Sequence, residues 1–116
     1  MLWATTAFNG GIGGQQEAPC GVISSATVCL GLLHRCPSED KERAKQSRSD
    51  ARQEANELVQ GFKEKFGAIT CLELLGVNFL DTEQYQKLRE SGVQREKCDS
   101  YLMHVIEKLY ELAGKE

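Results

Sequence analysis

Five cysteines, Cys20, Cys29, Cys36, Cys71 and Cys98, are the residues of this 116-residue chain best able to do chemistry. An odd count argues against a fully paired disulfide framework. That leaves metal or cluster ligands, redox-reactive thiols and inert buried cysteines. Their placement separates them. Cys20 follows Pro19, in what reads as the first turn of a helix, and Cys71 follows Thr70, a helix N-cap. Free backbone N–H groups and the positive end of the dipole favour a thiolate at such places, and the thiolate is the nucleophilic and metal-binding form. Cys98 falls near the start of the last helix, on its apolar face. At ~100° per residue, the step from Cys20 to Cys29 turns a helix by about half a revolution, and the step to Cys36 returns to the Cys29 face. Cys29, among Val, Leu and Ala, is expected in the core, and Cys36, beside Pro37, at a half-exposed helix end. The spacings contain no C-x-x-C, no haem attachment motif and no compact zinc pattern.

Other features are less specific. "NGGIGG" at 9–14 is the one dense glycine cluster. It lacks the Lys-Ser/Thr of a P-loop and follows no strand, so it reads as a tight connection where backbone approaches another helix or a ligand. His34 and His104 stand alone and are expected to cap or pack. Trp3 and Phe8 read as apolar anchors of the N-terminal segment. The basic residues of 41–52 alternate with Glu and Asp, which predicts a solvated face. A net charge of −3 supplies no field for a phosphate backbone, so nucleic acid is not an expected partner. No apolar run nears the ~20 residues of a membrane span, and the start lacks a secretory pattern. A cytoplasmic setting with reduced thiols is therefore the expectation.

These residues must be positioned by helices. Residues 2–8 read as the end of a helix stopped at Asn9-Gly10. Pro19 fits the first turn of the next, which runs through Cys20–His34 and is apolar or small all round, the pattern of a buried helix. Ser38 is the expected cap of a long amphipathic helix ending at Phe66-Gly67, its first half thin in apolar groups and open to fraying. "TCLE" at 70–73 is a capping box for a short helix stopped at Gly76. "DTEQ" at 81–84 opens a helix ending near Gly92. The last helix, from about Gln94 to Ala113, carries Cys98, Leu102, Val105, Ile106, Leu109 and Leu112 on one face. No segment is a convincing strand. The expectation is an all-α fold, one small single-domain helical bundle over 1–116 with a buried central helix and a glycine-rich loop.

"AFNGGIGG", "CGVISSATVCLGLL", "FKEKFGAITCLELLG" and "REKC", in that order over roughly residues 4–112, resemble the redox-active proteins named for a C_GCAxxG_C_C signature. The resemblance implies a small helical protein with either a thiolate-bound metal or iron–sulfur cluster, or thiol redox chemistry without a cofactor. Cys20, Cys71 and Cys98 match three of the family's four cysteines. They would be the metal ligands in one version and the redox thiols in the other. Gly10, Gly11, Gly13, Gly14 and Gly21 are the positions whose backbone would approach the cofactor, the "GGIGG" N–H groups pointing at sulfur. Two departures stand out. Val22 and Ser25 occupy the alanine and second glycine positions of the Cys-Gly-Ala-x-x-Gly motif, and no cysteine precedes Cys20 to match the family's first, which lies on an upstream helix. Without that helix an apolar face would be exposed, and a homodimer could cover it. A redox partner is implied without being identified. The competing expectation is a non-enzymatic helical interaction or structural module whose cysteine site has degenerated.

Overall fold

The computed structural model describes residues 2–37 and 39–114. Its helices are Leu2–Thr5 (α1), Gly21–Leu33 (α2), Lys41–Phe66 (α3), Cys71–Leu75 (α4), Thr82–Ser91 (α5) and Val93–Ala113 (α6), and a 3₁₀ turn, Thr6–Phe8, extends α1. Among the described residues the one pairing of extended backbone is an isolated antiparallel bridge between Pro19 and Thr70. The fold is all-α, as the sequence pattern predicts.

Local chemistry sets the helix ends. The Asp40 carboxylate accepts from the Arg43 N–H at 3.0 Å, and the Asp81 carboxylate from the Gln84 N–H at 3.2 Å. The Thr70 hydroxyl accepts from the Glu73 N–H at 3.3 Å and donates to the Glu73 carboxylate at 3.2 Å. Each cap satisfies a backbone donor that a helix start leaves without a partner. Asp40 caps α3; Ser38, the expected cap, lies outside the described residues. The "AKQSRSDARQ" stretch is solvated yet helical.

Three helices share the core. Ile23, Ala26 and Leu30 come from α2, Leu58 and Phe62 from α3, and Tyr101, Val105 and Leu112 from α6, with Leu74 of α4 closing one end. The Phe66 ring meets Tyr101 edge-on at 4.7 Å between centroids and His104 at 5.4 Å. The Tyr101 hydroxyl donates to the Leu74 carbonyl at 3.1 Å, tying α6 to α4. His34 closes α2, and its Nε2 meets the Glu54 carboxylate of α3 at 2.5 Å. Both histidines thus pack or cap. The molecule measures 54 × 24 × 19 Å. Its length comes from α3, whose 26 residues span about 39 Å and whose first half outruns the core.

Several expectations are corrected. Pro19 is extended, in the bridge to Thr70, and α2 begins two residues later at Gly21. The helix is not buried all round: Cys29, Gly31 and Leu33 are exposed, because α3 and α6 cover only part of its circumference. Cys29 is therefore not a core residue. Trp3 is 87% exposed and anchors nothing by burial, whereas Phe8 is half-buried. On α6, Leu102 is exposed and the neighbouring Tyr101 takes the buried place. The phenol can do so because its hydroxyl finds the Leu74 carbonyl.

Candidate thiol site

Cys20 and Cys71 are brought together by the backbone. The Pro19–Thr70 bridge lays the segment before α2 against the segment before α4, and the Cys20 N–H donates to the Ile69 carbonyl at 2.6 Å. Each cysteine is the next residue after a bridging one. Cys20 becomes the N-cap of α2 and Cys71 the first residue of α4. Helix α6, packed against α2, supplies Cys98. The three thiols, from segments 51 and 27 positions apart (71 − 20 and 98 − 71), line one groove of about 510 Å³.

Glycine permits this arrangement at two positions. A Cβ on Gly21 would stand 2.2 Å from the Phe8 carbonyl oxygen, so only glycine lets the 3₁₀ turn rest on the start of α2. Gly10 has φ +59°, and a Cβ there would lie 2.8 Å from the Gly14 Cα. Gly10, Gly11 and Gly21 line the groove beside the thiols. Gly13 and Gly14 do not. Their N–H groups donate to the Ala7 and Asn9 carbonyls, both at 2.8 Å, so at these two positions the loop's donors serve the loop rather than sulfur.

Burial dominates the electrostatics. It raises the Cys20 thiol above its ordinary pKa, although the Val22 and Ile23 N–H groups at the start of α2 pull the other way. Burial likewise raises Cys71, against the hydrogen bond from Gln16 and with help from the charge on Cys20. Cys98 is raised by burial, then by Cys20, Cys71 and Asp99. The Tyr101 phenol follows, raised by burial and by all three thiols. The expected helix-start donors act on Cys20, but the cost of taking a thiolate out of water exceeds their effect. The thiols are protonated at neutral pH, and a charge on one opposes a charge on the next.

Against the expectation from helix phase, Cys29 lines the same groove as Cys20, because Cys20 is the N-cap and not a turn of the helix; it lies about 13 Å along the axis of α2, at nine residues' rise. Cys36 is half-buried in a separate cleft with Arg48 and Arg52. Val22 and Ser25, where the chain departs from the motif it resembles, both line the thiol groove.

One residue of the site has no signal in the sequence. Gln16 is 2% exposed. Its Nε2 donates to the Val77 carbonyl at 2.8 Å and reaches the Cys71 Sγ at 3.9 Å, and its Oε1 accepts from the Phe79 N–H at 2.7 Å. A glutamine beside a glycine loop looks like any solvated polar residue, and its partners lie 55 to 63 positions away. Among the described residues, no group of three or more His, Cys, Asp or Glu side chains is placed to hold one metal ion. A thiolate-bound metal or iron–sulfur cluster does not fit the donors as they stand.

Fold and site together define a small all-α protein with Cys20, Cys71 and Cys98 over one groove. The chain belongs to the family described as "Putative redox-active protein (C_GCAxxG_C_C)", whose model matches residues 1–112. No curated protein and no solved structure matches it. Among the described residues, no helix is long and apolar enough to cross a membrane.

Proposed function

We propose that this protein is a thiol–disulfide exchanger that works through Cys20 and Cys71, with Cys98 as the third thiol of the site. The observation that carries the reading is the convergence of three charge-coupled thiols from distant segments on one groove. Cys20 is the attacking thiol. It is half-exposed, and two backbone N–H groups favour its thiolate. The thiolate attacks one sulfur of a partner's disulfide, that S–S bond breaks, and the leaving sulfur departs and takes up a proton. Cys71 then gives up its proton and attacks the Cys20 sulfur of the mixed disulfide, which releases the partner's second thiol. The partner gains two electrons and two protons, and the protein keeps a disulfide. Charge coupling suits this order, since each step needs one thiolate while the neighbouring thiols stay neutral.

The test is exchange with glutathione disulfide, followed by peptide mapping. The expected result is a Cys20–Cys71 link with two glutathione thiols released per chain, abolished by Cys20→Ser. Anaerobic purification with iron and zinc counted per chain is the second arm. Stoichiometric metal lost on Cys71→Ser or Cys98→Ser would replace this reading with a metal-bound one. No metal and no exchange at Cys20 would leave a helical interaction module.

A further inference from the structure

Gln16 combines three features that seldom meet in one residue. It is a polar side chain at 2% exposure, it is the one non-glycine among the described residues with positive φ, at +66°, and its amide group reaches a candidate redox sulfur. A left-handed backbone is uncommon for a residue that is not Gly, Asn or Asp, and it persists only where the surroundings over-determine it. Here they do. The Gln16 N–H donates to the Gly10 carbonyl at 2.7 Å, and its own carbonyl accepts from the Leu72 N–H at 3.2 Å. The carboxamide is clamped as well. The Phe79 N–H can meet only the amide oxygen, and the Val77 carbonyl only the amide nitrogen, so the flip is fixed. One amide hydrogen remains, and the Cys71 Sγ lies 3.9 Å from its nitrogen.

We propose that Gln16 is the positioning residue of the thiol site: it clasps the glycine loop to the α4–α5 connection and holds a fixed N–H donor on the Cys71 sulfur, setting how readily that sulfur becomes the resolving nucleophile. The contact is long, as such bonds often are before the charged form develops, and it shortens when the sulfur ionises. The same donor opposes the burial that keeps Cys71 neutral. The proposal rests on the exchange reading for its purpose, while its physical content, a donor tuned to one sulfur, can be measured without any exchange.

The experiment follows alkylation of each cysteine against pH by mass spectrometry, in the wild type, Gln16→Met and Gln16→Asn. Met keeps the volume and loses the donor. Asn tolerates the left-handed backbone but is too short to reach Cys71. In both variants the Cys71 rate at neutral pH falls about two- to tenfold, the worth of one hydrogen bond, and its pH profile moves to higher pH. Cys20 and Cys98 change less. A Cys71 profile that matches the wild type in either folded variant overturns the proposal. Should both variants fail to fold, the wild type decides: the Gln16 side-chain amide resonances must titrate together with Cys71, and invariance overturns the proposal. A protein that does not exchange disulfides but shows the Gln16 effect loses the exchange reading alone.

Discussion

The two ends of α2 present cysteines in opposite circumstances. At its start, Cys20 sits in a crowded corner with Cys71 and Cys98, where glycine is required for backbone contact and burial raises every thiol. Toward its end, Cys29 is exposed on an open flank, and beyond it Cys36 shares a cleft with arginines. Three cysteines within seventeen residues look like one group when read as text. In space the first is joined to partners 51 and 78 positions away (71 − 20 and 98 − 20), Cys29 stands at a distance along the same groove, and Cys36 lies in another cleft. Helix rise separates what the sequence brings close, and the backbone bridge joins what it keeps apart.

The sharpest way to break this comparison uses two glycines of the same helix. Gly21→Ala forces a methyl group to within 2.2 Å of the Phe8 carbonyl oxygen, so the 3₁₀ turn must leave the start of α2 or the helix must shift. We expect a loss of about 1–3 kcal/mol or more, in the range of overpacking strain. Gly31→Ala adds a methyl group that meets nothing within 4 Å, in a helical position. Replacing glycine inside a helix should gain about 0.5–1 kcal/mol. Urea melts of the two variants should therefore move in opposite directions, and equal shifts would erase the distinction between the two ends.

The same contrast explains what the sequence made legible. Caps at Thr70 and Asp81 and the stop at Gly67 are local, and residue type alone announces them. Long α3 follows from its periodicity. The distance between Cys20 and Cys29 follows from helix rise, but the opposite facing expected from helix phase does not hold, because Cys20 is the N-cap outside the helix and both cysteines line one groove. The depth of burial was not legible, because α3 and α6 decide it from far along the chain. For that reason the start of α2 supplies the expected donors to Cys20 while burial reverses the net direction. Pro19 is ambiguous in the sequence because a proline that fits a helix start fits an extended bridge equally well, and its bridging partner is the single residue Thr70. Gln16 was invisible because its left-handed backbone and its partners are both tertiary facts.

A second pair of variants tests the cysteines directly. Cys71 is 8% exposed and Cys29 is exposed. Cys71→Ser places a hydroxyl where sulfur was, and an oxygen there stands too far from Gln16 Nε2 for a normal N–H···O bond, judging by the 3.9 Å contact to sulfur. A buried hydroxyl without a good partner should cost about 1–3 kcal/mol. Cys29→Ser should stay within about 0.5 kcal/mol, as for other exposed positions. Alkylation of the native protein at neutral pH should run in the same sense, with Cys29 modified well before Cys71.

The smallest effect is a slope. Cys20, Cys71 and Cys98 all have native pKa values raised above the ordinary thiol value of 9.0, each chiefly by burial. The native state therefore holds these protons more tightly than the unfolded chain. Their contribution to stability is complete below pH 9.0 and is lost as pH rises through the native values, because the unfolded thiols ionise first. Tyr101, raised in the same direction, adds to the loss at higher pH. Urea melts between about pH 8 and about pH 10 should show wild-type stability falling with pH. Cys98→Ala should fall less steeply, since it removes one of the three protons and relieves the charge it places on Tyr101. A Cys98→Ala slope equal to that of the wild type would mean that Cys98 is no more buried than Cys29, and the two classes of cysteine would then differ only in their neighbours.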